Sequence, residues 1–161
     1  MRAALFMLGR IGMANKLEDL PLYQKVQEFW VAVTEILSRP ALRKDFDLHG
    51  QIESANDSID ANLKEGFEQP TDASFANFVF TAKGSTAEVM ARTREAHGKG
   101  HVSDEDLQRI MELGEPLGKM MGGFIKYLAK SGFTDRGRHA VAPTPPKPVR
   151  PRHGNRRPRR S

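Results

Sequence analysis

Residues 51–66 read Gln-Ile-Glu-Ser-Ala-Asn-Asp-Ser-Ile-Asp-Ala-Asn-Leu-Lys-Glu-Gly, and two periods run through them at once. Ile52, Ala55, Ile59, Leu63 and Gly66 recur at the three- and four-residue spacing of one helix face. Gln51, Ser58 and Glu65 recur every seven residues, and Asn62 falls among the apolar positions. A helix that only faced water would need neither order. The stretch therefore specifies a helix–helix contact and restricts the chain to folds in which helices pack on helices.

The same period predicts three more helices. The first spans about residues 21–38, with Leu22, Val26, Phe29, Trp30, Val33, Ile36 and Leu37 in its stripe. Pro21 suits its first turn and Pro40 stops it. The second, which contains the opening stretch, spans about 47–68, adds Leu48 to the stripe and ends before Pro70. The third spans about 72–96 on Phe75, Val79, Ala82, Thr86, Val89, Met90 and Thr93, and Gly98 and Gly100 terminate it. The fourth opens at Ser103, with Asp106 three residues on in a near match to a capping box, and ends near Lys130. Pro116 should kink it, and Gly122-Gly123 should weaken it. Residues 39–46 form the one longer connection. Strand alternation is scarce, so the expected fold is all-α: an antiparallel up-down-up-down four-helix bundle.

Charge divides the chain. Residues 135–161 hold nine Lys/Arg against Asp135 alone, a net of +8, whereas residues 1–134 carry a net of −3. Six of the ten prolines lie in that last segment. It has too few apolar residues to offset the entropy of ordering, so residues 134–161 are expected to form a disordered basic tail. Residues 1–16 read as an extension: their apolar run is short, Arg10 interrupts it, and Met13 is an alternative start. The bundle is thus expected over residues 17–133. Without cysteine there are no disulfides, thiolate metal sites or thiol nucleophiles, and no run reaches the roughly 18–20 apolar residues of a membrane span. We expect a cytoplasmic protein.

The third helix has a second face. Phe80, Gly84, Ala87 and Ala91, with Ala76 nearby, lie away from the main stripe at about 100° per residue. A lone bundle needs one buried stripe per helix, so the second face fits a subunit interface; the plainer alternative is a broad core face with incidental alanines.

Residues 51–66, followed by Phe75-Ala76-Asn77-Phe78-Val79-Phe80-Thr81-Ala82-Lys83-Gly84-Ser85-Thr86-Ala87-Glu88, resemble the paired signatures of four-helix bundle proteins of the 23S ribosomal-RNA intervening-sequence type. Relatives of that type include the accessory variability determinants of diversity-generating retroelements. The likeness covers about residues 17–132. It implies a small bacterial bundle, often a homopentamer, with no enzymatic activity or cofactor. The retroelement relatives bind nucleic acid through a basic surface that this acidic bundle does not reproduce. Lys64 in place of the common alanine, Pro116 and the basic tail depart from the pattern.

Gln51, Ser58, Asn62, Glu65, Gly66, Gly84, Ser85 and Glu88 are accordingly expected to be architectural, with the polar side chains hydrogen-bonding across to Ser85, Glu88 or loop amides to fix register. A di-iron centre would need Glu-x-x-His on two helices, and no such spacing exists, so no metal is expected. Gly118–Gly123 lacks the spacing of a phosphate loop. Arg150, Arg152, Arg156, Arg157, Arg159 and Arg160 are the candidate contacts to RNA or DNA phosphates. No Phe, Tyr or Trp lies among residues 136–161 to stack on bases. The expected function is a non-enzymatic homo-oligomer that binds nucleic acid through its tail; the alternative is an oligomeric scaffold docking an acidic protein.

Overall fold

The computed structural model describes residues 16–131, and every regular element described is helical. A 3-10 turn at Leu17–Asp19 leads into α1 (Pro21–Leu37), α2 (Pro40–Lys44), α3 (Phe46–Phe67), α4 (Asp72–Gly98) and α5 (Asp104–Ser131). Helix α1 packs against α3 and α5, and α4 packs against the same two from the other side. The predicted 134–161 tail and nearly all of the 1–16 extension lie outside the described residues.

The helix ends follow from local chemistry. Pro21 and Pro40 stand at the first turns of α1 and α2, where a missing N–H removes no helical bond. The Asp45 carboxylate caps α3 by accepting from Leu48 N at 3.2 Å. Thr71 Oγ1 caps α4 by accepting from Ser74 N at 3.1 Å. The α4 terminus is a Schellman turn: His101 N donates to Ala96 O and Gly100 N to His97 O, both at 2.8 Å, with Gly100 at φ +74°. Before α5 the capping box is complete, since Asp106 N donates to Ser103 Oγ at 3.1 Å and Ser103 N to Asp106 Oδ2 at 3.2 Å.

One apolar cluster runs from Leu17 to Leu128 and joins all five helices. The predicted stripes supply it. Leu48, Ile52, Ala55, Ile59 and Leu63 of α3 are buried, as are Phe75, Val79, Ala82 and Val89 of α4. At one end Phe67, Phe75 and Phe124 meet edge to face, with ring centroids 6.2 and 5.3 Å apart, and Tyr127 stacks on Phe124 at 6.4 Å.

Two departures from the expected elements have physical reasons. Residues 39–46 are not a plain connection, because residues 40–44 form a helical turn whose Leu42 is fully buried. Helix α3 begins one residue earlier than expected, at Phe46, because Asp45 supplies the cap. Helix α5 continues through Pro116, which is exposed and can bend a helix without ending it.

Candidate functional site

The α3–α4 seam gathers the polar signature residues. Ser58 is half-buried on α3, and its hydroxyl meets Ser85 Oγ of α4 at 2.9 Å. Asn62, one turn on, donates from Nδ2 to Ser58 O at 2.7 Å and to Ser58 Oγ at 3.1 Å. The Asn62 amide therefore aims the Ser58 hydroxyl at α4, and Ser85 can also donate to Thr81 O at 3.3 Å. A one-turn slip between the helices would break this chain of bonds.

Gly66 serves the same contact by close approach. A β-carbon there would lie 2.5 Å from Phe75 Cδ2 and 2.6 Å from Phe78 Cβ. Only glycine lets α4 begin its return so near the end of α3. Gln51 and Glu88 are exposed and flank the Ser58–Ser85 contact in an open groove of 530 Å³ that reaches Phe46 and Asp47. Glu65 is exposed beyond that groove. The seam thus unites Ser58, Asn62 and Ser85 by hydrogen bonds, places Gln51 and Glu88 beside them, and leaves Glu65 to solvent.

The second face of α4 points outward. Phe80 is 69% exposed, and Gly84, Ala87 and Ala91 are exposed with it. Ala76 departs from the group: it is 8% exposed and belongs to the core. Among the described residues, nothing within 4 Å would meet a β-carbon on Gly84, so their packing does not require glycine there. Arg150, Arg152, Arg156, Arg157, Arg159 and Arg160 lie outside the described residues.

Several groups escaped the sequence reading. Asp60 ties α1 to α3: its Oδ1 accepts from Tyr23 OH at 2.7 Å and from Gln27 Nε2 at 3.2 Å, while Lys64 Nζ sits 2.6 Å from Oδ2. Burial and the bond to Asp60 push the Tyr23 hydroxyl up to about 12. Burial alone would raise Asp60, but its donors, Lys64 and Tyr23 foremost, hold it below the usual carboxylate value. Asp45 does double duty: beyond capping α3 it accepts from Lys99 Nζ at 3.0 Å and contacts His101 Nε2 at 3.1 Å. Lys99 first, and the Leu48 amide next, hold Asp45 below its ordinary value. Asn56 is buried against α1, where its Nδ2 reaches Trp30 O at 3.5 Å and its Oδ1 has no protein partner.

None of these groups forms a recognisable centre of catalysis. No cluster of three or more His, Asp or Glu able to hold a metal occurs among the described residues, and none of their helices is long and apolar enough to cross a membrane. The geometry instead offers a register-fixing seam, an acidic groove beside it, and an outward apolar face on α4.

The sequence model of the family described as 23S rRNA-intervening sequence protein matches residues 18–123, which takes in the seam, the groove and all of the α4 face. No curated protein and no solved structure matches the chain.

Proposed function

The chain belongs to the 23S rRNA-intervening sequence protein family, and on that premise we propose that it is a non-enzymatic, self-assembling helical protein that holds a basic tail out to nucleic acid. The helices adopt the antiparallel up-down-up-down bundle, and copies associate through the outer face of α4. A pentamer is the assembly the family resemblance implies. Kinship to the retroelement accessory proteins belongs to the same proposal.

One observation carries the assembly reading. Phe80 exposes 69% of its surface in the middle of a 27-residue helix, flanked by Gly84, Ala87 and Ala91. A large exposed aromatic beside small residues suits close approach by another backbone. Glycine inside a helix costs about 1 kcal/mol relative to alanine. Among the described residues, nothing offsets that cost at Gly84. A neighbouring subunit would.

Native mass spectrometry of the full chain tests this reading. The wild type should appear as an oligomer at micromolar concentration, and Phe80→Glu should shift it to monomer with its helical circular dichroism intact. A monomeric wild type, or an oligomer untouched by Phe80→Glu, would sink the assignment of this face.

The basic segment supports nucleic acid as the partner class. Arginine beside proline, without aromatic residues, suits phosphate contact independent of base sequence.

A further inference from the structure

We propose that the groove between α3 and α4 is the docking site of this chain's own C-terminal segment, residues 148–160, and that docking withholds those arginines from nucleic acid. The second half of the statement rests on the nucleic-acid reading above; the first half stands without it.

The groove has the chemistry of a receptor for arginine and proline. Phe46 lines it with 84% of its surface exposed, more than Phe80 or Val31, the other exposed large hydrophobic residues of the described chain. Asp47 and Glu88 contribute carboxylates, and Gln51, Ser58 and Ser85 contribute amide and hydroxyl groups. Among the described residues, no lysine or arginine lines it. A guanidinium can pair with a carboxylate through two parallel hydrogen bonds and stack on an aromatic face. Proline rings pack on exposed aromatics in the same manner as in polyproline recognition. The depression on the other side of Phe46 adds Lys44 and His101, so a cationic occupant is favoured on the α3–α4 side.

The occupant follows from charge and reach. Residues 148–160 read Pro-Val-Arg-Pro-Arg-His-Gly-Asn-Arg-Arg-Pro-Arg-Arg, and they belong to a segment of net +8 attached to a body of net −3. The described chain ends at Ser131, whose hydroxyl hydrogen-bonds Asp72 at the start of α4. Glu88 lies sixteen residues along that helix, about 24 Å away at 1.5 Å per residue. Arg150 lies nineteen residues beyond Ser131, and extended chain of that length spans about 60 Å. The segment can therefore reach the groove with slack. Attachment to the same chain raises its effective concentration there above that of any free cationic peptide.

Because the chain has no cysteine, a single Ser161→Cys substitution in the full-length protein places one nitroxide label at the end of the segment. Amide NMR signals then report where it dwells. At low salt the signals of Gly50, Ser54, Ser58 and Ser85 should lose intensity, relative to the reduced, diamagnetic label. The loss should disappear at about 0.5 M salt, where screening shortens to a few ångströms. It should also disappear in Asp47→Asn/Glu88→Gln, and weaken in Phe46→Ala; all three positions are exposed, so these variants keep the fold. Unattenuated groove signals, or attenuation unchanged in Asp47→Asn/Glu88→Gln, would overturn the proposal. So would sharp groove signals that shift instead on adding a short single-stranded RNA, since the groove would then belong to that ligand. The label, salt and carboxylate-variant measurements need no RNA and do not depend on whether the tail binds it, so the two readings can fail separately.

Discussion

Asp60 shows how one carboxylate can hold two helices in register. It receives the Tyr23 hydroxyl and the Gln27 amide from α1 and the Lys64 ammonium from its own helix. Tyr23→Phe keeps the ring in the core and removes one of these donors. The loss should be about 1.5–3 kcal/mol at pH 7 by urea unfolding, the usual size for a bond to a charged group. Its pH dependence has a definite sign. The folded Asp60 sits below its ordinary value, so its contribution is present above the unfolded value of about 3.9 and fades as pH falls through the folded one. Tyr23 is raised to about 12, so its contribution is complete below about pH 10 and fades as pH climbs toward 12. The wild-type advantage over Tyr23→Phe should therefore shrink at pH 3 and again above pH 10. An equal advantage at pH 3 and pH 7 would show that Asp60 does not carry it.

Two glycines on the packed helices make opposite predictions at the level of the element. Gly66→Ala places a β-carbon against Phe75 and Phe78 and should destabilise the chain by about 1–3 kcal/mol, measured by thermal or urea unfolding. Gly84→Ala meets nothing among the described residues, so at concentrations where copies are separate it should stabilise α4 by about 1 kcal/mol. In the assembled state the same substitution should weaken association, and sedimentation read beside unfolding separates the two effects. Stronger association in Gly84→Ala would remove the argument from close approach. The roles of these glycines were only half legible in the sequence. Periodicity placed Ile52, Ile59 and Leu63 on the buried face of α3, because that face is set by the chain's own spacing. The same pattern marked Ser58 and Ser85 as partners through the family likeness, and their hydroxyls meet. Helix α2 was hidden, since five residues are too few to show a period; Pro40 as a first-turn residue was its one signal. The Asp60 and Asp45 contacts were hidden for another reason. Their partners, Tyr23 and Lys99, are 37 and 54 residues away, and only the packing of α1 and the α4–α5 turn brings them together.

For the whole molecule the decisive asymmetry is electrostatic: a body of net −3 joined to a segment of net +8. A uniform basic surface would bind polyanions through the fold, whereas under the proposed function this division leaves that work to the tail. The consequence is quantitative. On single-stranded RNA each phosphate neutralised contributes about −0.7 to the slope of log affinity against log salt, so six arginine contacts would give about −4. Replacing Arg150, Arg152, Arg156, Arg157, Arg159 and Arg160 by glutamine in the full chain should flatten that slope toward zero and abolish most binding at low salt. Because the segment has no aromatic residue to stack on bases, RNAs of equal length and different sequence should bind alike. Docking of the tail in its own groove adds one further term. The Asp47→Asn/Glu88→Gln protein should bind RNA more tightly than wild type at low salt, and the two should converge as salt rises, because screening releases the docked segment without any substitution. Fluorescence anisotropy of a labelled oligonucleotide across a salt series measures all three proteins. A six-glutamine variant that kept the wild-type slope would move the nucleic-acid contact from the tail to the folded body.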